Sequence, residues 1–198
     1  MTPPRVLVLA CGALAREILA LLPPERFPAV ELHCLPATLH NRPERIGPAL
    51  RAALTARAGQ YDRILIGYGD CGSGGEVERV AAEFGAAHLP GPHCYAFFTG
   101  VADFARQADA DPTSFFLTDF LARHFETLVW EGLGLDRHPD LRDLYFGNYA
   151  RVVYLAQTED AALTTTAGAA AARLGLGFER RFVGYGDLAT SLARAAAA

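Results

Sequence analysis

The chain has 198 residues, of which 51% are hydrophobic and 20% charged, and its net charge is -4. That balance suits a globular protein with a full core and gives no electrostatic reason to expect nucleic acid, which calls for a basic face. All 18 basic residues are arginine, which excludes Schiff-base lysine chemistry, lysine-bound pyridoxal phosphate and a Walker-type phosphate lysine.

In chain order, residues 5–10 read as a strand, followed by a helix from about Gly12 to Leu22 that Pro23-Pro24 stops. Val30 to Leu35 alternates like a half-buried strand, and 43–58 reads as a helix with an arginine-rich outer face. Ile64-Leu65-Ile66 is a short apolar strand of the kind buried inside parallel sheets. A glycine-rich loop spans 67–75, a helix runs from Glu76 to Phe84, and residues 87–89 suggest a fourth strand. A helix is expected from about His93 to Gln107. Residues 112–150 gather many aromatics, including Phe115, Phe116, Phe120, Phe125, Trp130 and Tyr149, into a stretch read as mostly helical. Core packing and a lid or dimer surface are both open for it. Strands at 151–156 and 178–183 flank an alanine-rich helix over 160–174, and a helix at 187–197 closes the chain.

Such alternation predicts an α/β fold: three layers, a mainly parallel sheet with flanking helices. A single domain over 1–198 is the simplest organisation, with lobes 1–110 and 111–198 as the alternative. Arg63 to Asp70 echoes Arg181 to Asp187 through a shared Gly-Tyr-Gly-Asp, which is the motif-level hint of two pseudo-symmetric halves.

Cys11, Cys71 and Cys94 each sit where an apolar, strand-like run hands over to a helix-like run. In a parallel sheet those loops converge on one edge, where ligands bind. A thiol at a helix N-terminus also has its thiolate favoured. The spacings are too long for a zinc-ribbon knuckle and suit a fold-assembled site for Zn²⁺ or an iron–sulfur cluster. Candidate fourth ligands are His40, His93 and Glu17, the last roughly one and a half turns into the first helix. Cys34, within a strand-like run, reads as a packing residue and His33 as a packing or surface residue, while His124 and His138 look like ordinary helix or loop positions.

The loop 67–75 holds five glycines in nine residues, which lets backbone N–H groups turn inward as an anion nest. Gly67, Gly69, Gly72 and Ser73 are therefore the candidate cofactor-binding residues. Glu17 and Asp70 are the candidate catalytic acids or bases. Gly-x-Gly-x-x-Gly does occur at 67–72, but it follows a third strand and runs on into more glycines, unlike a dinucleotide loop.

At these loops the chain resembles domain-of-unknown-function family 1638, a group of uncharacterised bacterial and archaeal proteins. The residues that carry the resemblance are Cys11 with Arg16-Glu17, Leu39-His40, the Gly67 to Gly72 loop, Pro90 to Cys94, and Gly147-Asn148-Tyr149. The chain departs from the family pattern at Pro92-His93-Cys94, where members have His-Asp-Cys, and at Cys11-Gly12, where many have Cys-Glu. The resemblance implies a link to corrinoid-dependent methyl-group metabolism, with a corrinoid protein or a methyltransferase as partner.

The leading expectation is a metal-binding protein whose Cys11, Cys71, Cys94 and His40 hold zinc or an iron–sulfur centre for an unknown small-molecule substrate. Two alternatives stand beside it: a metal-free, racemase-like enzyme using cysteines as acid and base, and a non-enzymatic metal or small-molecule accessory protein. The opening lacks a basic segment followed by a long apolar one, and no apolar run nears the ~20 residues of a membrane span. The four cysteines then read as thiols or ligands rather than as disulfides. The expected setting is the cytoplasm, with no membrane partner and a homodimer as one assembly.

Overall fold

The computed structural model describes residues 3–197. It divides into two compact units, one running to Val101 and resuming at Tyr185, the other spanning Ala102–Gly184. Each is built on its own all-parallel sheet with flanking helices, the expected three-layer α/β arrangement. No helix among the described residues is long and apolar enough to cross a membrane.

The first unit begins with β1 (Val6–Cys11), α1 (Ala15–Leu21), β2 (Val30–Leu35), α2 (Ile46–Thr55), β3 (Arg63–Gly67), α3 (Glu76–Glu83) and β4 (Ala87–His88). The strands lie in the order β2-β1-β3-β4. All six residues of β1 are buried, which explains its unbroken apolar run: a central strand of a covered parallel sheet has no face to give to water. Leu7, Leu9 and Cys11 share a face with Leu35, Ile66 and Tyr68, and that face packs on Leu50, Leu54, Val77 and Val80 of α2 and α3. The short α4 (Ala96–Thr99) and the closing helix α9 (Gly186–Ala197) pack together, and α9 also packs on α1.

This strand order carries the main consequence for function. The crossover from β1 runs outward to β2, whereas the one from β3 runs the other way to β4. The order therefore reverses between β1 and β3, leaving a crevice beyond their carboxyl ends, the place where open α/β sheets bind ligands.

The second unit contains most of α5 (Val101–Ala110), then β5 (Ser114–Thr118), α6 (Asp119–Arg123), a π-helical turn at Glu126–Trp130, α7 (Leu141–Phe146), β6 (Arg151–Ala156), α8 (Ala161–Leu174) and β7 (Gly177–Phe182). Its sheet order is β5-β6-β7. The α8 helix is capped as its sequence suggests: Asp160 accepts from the Leu163 N–H at 2.9 Å, and Gly175 ends it at φ 68°.

Two expectations change. The helix expected over 93–107 is broken at Gly100, whose φ of 87° separates α4 from α5. The stretch 112–150 is not mostly helical at its start, because Ser114–Thr118 pairs with β6 as a strand. A short run of phenylalanine and leucine fits a buried strand and a buried helix turn equally well, so periodicity does not separate them. Phe115, Phe125, Trp130, Phe146 and Tyr149 pack in or against the core of this unit, where Phe115 meets Phe146 and Tyr149 edge-on at 5.1 and 5.7 Å.

Candidate functional site

Cys11 is the last residue of β1, and its side chain points to the face covered by α2 and α3. Cys71 sits in the loop after β3, and Cys94 in the loop after β4. These two loops are stitched by backbone hydrogen bonds, with Asp70 N–H donating to Gly91 C=O and Cys71 N–H to Pro92 C=O, each at 2.8 Å. Gly69 permits the approach: a Cβ there would lie 2.8 Å from the His93 carbonyl carbon and 3.0 Å from the Gly91 oxygen. The Cys71 and Cys94 sulfurs end up 3.4 Å apart, and Cys11 also bonds Cys94. All three thiols meet at the crevice that the strand order creates.

Cys71 holds φ 48°, and every other described residue with positive φ is a glycine. A left-handed cysteine costs about 1–2 kcal/mol relative to ordinary backbone, a strain that clusters at functional positions.

The thiols do not share their protons equally. Hydrogen bonding from Cys94, joined by His40 and His93, holds the Cys71 thiol well below its usual range against the opposing effect of burial. Cys11 is also lowered, first by Cys94, then by the Ala13 backbone and by Tyr68. Cys94, bonded to both, is pushed well up and keeps its proton. His40 is raised, chiefly by its hydrogen bond to Cys71. Cys11 and Cys71 are buried, whereas His40 sits on an exposed 3₁₀ turn, Ala37–Asn41. Its imidazole bonds the Cys71 thiol.

Tyr68 is the residue that sequence reasoning missed. Its hydroxyl is buried, has no partner at full hydrogen-bonding geometry, and faces the Cys11 thiol. The signal was present, because Tyr68 continues the phase of Ile64 and Ile66, which places it on Cys11's face of the sheet.

The other predicted residues have visible roles elsewhere. Glu17 is buried on α1, and it is not among the side chains that shift the Cys11 and Cys71 thiols, of which Cys94 comes first. Asp70 is engaged in its own loop, accepting from Gly75 N–H at 2.6 Å and the Ser73 hydroxyl at 3.0 Å. These bonds, Gly75 first, hold its carboxyl below the ordinary range. The glycine-rich nest is thus filled by the chain's own carboxylate. Ser73 serves it, and Gly72 supplies a left-handed turn at φ 83°. Gly67 lies where a Cβ would come 2.9 Å from that of Ala10.

Asp187 accepts from the Val101 N–H at 3.1 Å and belongs, like Asp70, to the first unit. The repeated Gly-Tyr-Gly-Asp therefore does not supply one aspartate to each unit. Cys34 pairs with Ala10 rather than Cys11, so it lies on the opposite face of the sheet, and burial raises its pKa. A recess of about 480 Å³ lined by Val6, Arg63, His88, Ser191 and Arg194 contains none of the predicted site residues.

Among the described residues no group of three or more His, Cys, Asp or Glu side chains is placed to hold a metal ion. What the crevice offers is three converging thiols with two imidazoles and a phenol around them. That set can deliver thiolate donors or a sulfur nucleophile.

Residues 34–192 match the family model described as Protein of unknown function (DUF1638), a segment that takes in His40, Cys71 and Cys94 and begins after Cys11. No curated protein and no solved structure matches the chain. With most of its length inside that match, the chain belongs to the DUF1638 family of proteins of unknown function.

Proposed function

We propose that the first unit is a thiolate metal-binding domain, with Cys11, Cys71 and Cys94 as sulfur donors and His40 as the fourth. The observation that carries this reading is the 3.4 Å contact between sulfurs from two different loops, with a third thiol bonded to the same group. Two thiolates on one tetrahedral zinc, each ~2.3 Å from the ion, stand ~3.8 Å apart. Small side-chain rotations take the observed contact to that separation. Thiolates of a [4Fe–4S] cluster bind different irons and stand further apart, so the spacing supports two sulfurs on one metal ion over a four-iron cluster.

The same contact weighs against a two-thiol acid–base enzyme. Sulfurs flanking a substrate carbon need roughly 6–7 Å between them, since each must sit about 3–3.5 Å from the reacting atom. Tyr68, buried beside Cys11, suits a second-layer donor to a bound thiolate, the kind of contact that tunes ligand basicity.

A zinc ion held here supplies Lewis acidity that keeps a bound thiol deprotonated near neutral pH. The family resemblance adds the context of corrinoid-dependent methyl-group metabolism, in which a corrinoid protein or methyltransferase is the partner of this reading. Zinc titration of the apo protein by equilibrium dialysis is the test, with native chain beside Cys11→Ser, Cys71→Ser and Cys94→Ser. The reading expects one site per chain, lost in each variant while far-ultraviolet circular dichroism is retained. Equal zinc uptake by all four proteins contradicts it.

A further inference from the structure

The Cys71 and Cys94 sulfurs meet at 3.4 Å, each on a loop whose backbone is tied to the other. Besides the bond from Cys71 N–H to Pro92, the Cys94 backbone N–H bonds the Cys71 sulfur, so the two main chains are as close as the two side chains. A disulfide needs its sulfurs about 2.0 Å apart and its two Cα atoms within about 7 Å. Closing the contact is therefore a matter of side-chain rotation, with the loops already in place. The other cysteines are held differently. Cys11 is the last residue of β1, where it pairs with Leu35, and Cys34 lies on the opposite face of the sheet.

We propose that Cys71 and Cys94 are an oxidation site of this chain, closing to a reversible disulfide when a hydroperoxide reaches them. The inference goes beyond the metal reading and does not depend on it, because it concerns the thiols of the metal-free chain. In the first step an oxygen of the hydroperoxide passes to one of the two sulfurs. The O–O bond breaks, an alcohol leaves (water, for hydrogen peroxide), and a sulfenic acid remains. The partner sulfur then attacks it. The S–S bond forms, the S–O bond breaks, and the hydroxyl departs as water with the partner's proton. Two thiols lose two electrons and two protons, and the hydroperoxide takes up both.

A hydroperoxide is the oxidant class that fits, because Cys71 is only 6% exposed. Hydrogen peroxide is scarcely larger than water, whereas a disulfide reagent must bring bulky groups to the buried sulfur. The second step is intramolecular between sulfurs already in contact, so it outruns further oxidation to sulfinic acid. The fold thus selects one pair among four free cysteines.

The experiment uses the full chain, reduced, stripped with a chelator and treated anaerobically with one equivalent of hydrogen peroxide. Free thiols are counted, and alkylated peptides are mapped by mass spectrometry. The expected result is a fall from four free thiols to about two, a single Cys71–Cys94 linkage, and full recovery with dithiothreitol. Cys34→Ser and Cys11→Ser should form the same linkage, with far-ultraviolet circular dichroism confirming that each is folded. The native chain oxidised in urea should give mixed pairs, because the selection belongs to the fold.

A folded native chain that goes to sulfinic acid without a disulfide overturns the inference. So does a Cys11–Cys94 linkage, a pair that includes Cys34, cross-linking only between chains, or the same mixture of pairs with and without urea. A chain that takes up no zinc leaves this result as it is, and a chain whose Cys71 and Cys94 stay reduced leaves the metal reading as it is.

Discussion

Cys71 and Cys94 place their sulfurs 3.4 Å apart across two loops that follow neighbouring parallel strands. The contact is set by backbone, through hydrogen bonds from Asp70 to Gly91 and from Cys71 to Pro92. Tight packing of one loop on the other therefore positions the chemistry.

Gly69→Ala should break that packing. The added methyl would sit 2.8 Å from the His93 carbonyl carbon and 3.0 Å from the Gly91 oxygen, and backbone atoms do not yield as a side-chain tip does. A loss of about 1–3 kcal/mol is expected from overpacking, together with weaker zinc uptake. Urea denaturation of the metal-free protein reads the first and dialysis the second. Native stability in the variant would show that the loops are not held as described.

The left-handed backbone of Cys71, at φ 48°, predicts an ordering among variants. Without metal, Cys71→Gly should be more stable than Cys71→Ala by about 1 kcal/mol, because only glycine adopts that region without steric cost. Denaturant midpoints compare the two directly. An alanine variant as stable as the glycine one would mean the loop relaxes to ordinary backbone.

In the second unit, Asp119 is buried and accepts from the Tyr154 hydroxyl at 2.7 Å, the Thr158 hydroxyl at 2.6 Å and the Gln157 N–H at 3.0 Å. Asp119→Ala strands these donors in the interior and should cost about 3 kcal/mol. Tyr154→Phe, which removes one partner and leaves the others, should cost less. Thermal unfolding with both variants tests the ranking.

Asp111 links β5 to β6, since it accepts from the Ser114 hydroxyl at 2.6 Å and from Arg151 Nε at 2.9 Å. Ser114, then Arg151 and Thr113, lower its carboxyl from 3.8 to about 2. A carboxyl depressed on folding stabilises the protein above its ordinary value, and that contribution is lost as pH falls through the folded value. The loss should fall between about pH 4 and pH 2 and be absent in Asp111→Asn. A carboxylate NMR titration centred near 3.8 would remove the basis for it.

Much of the site was legible because strand ends mark themselves in sequence. Cys11, Cys71 and Cys94 each close an apolar run, and parallel strands bring such ends to one edge. The strand order was not legible, so the reversal between β1 and β3 came only with the pairing of Val6–Ala10 to Arg63–Gly67. Asp70 looked like a free carboxylate because sequence does not show which acid a glycine nest encloses, and here the nest folds back on it. Tyr68 was hidden by its glycine neighbours, which read as loop although its side chain keeps the strand's phase. The β5 strand was lost among aromatics that pack equally well in a helix, and its identity rests on pairing with β6, a long-range contact.

The central claim is that three thiols from three strand ends hold one metal ion. Elemental analysis of the anaerobically purified full chain, with an absorption spectrum of the same sample, tests it most directly. About one zinc per chain without visible bands is the predicted result. A chain free of zinc and iron, and still free after incubation with Zn²⁺, would contradict the account and leave the cysteines as a buried thiol cluster.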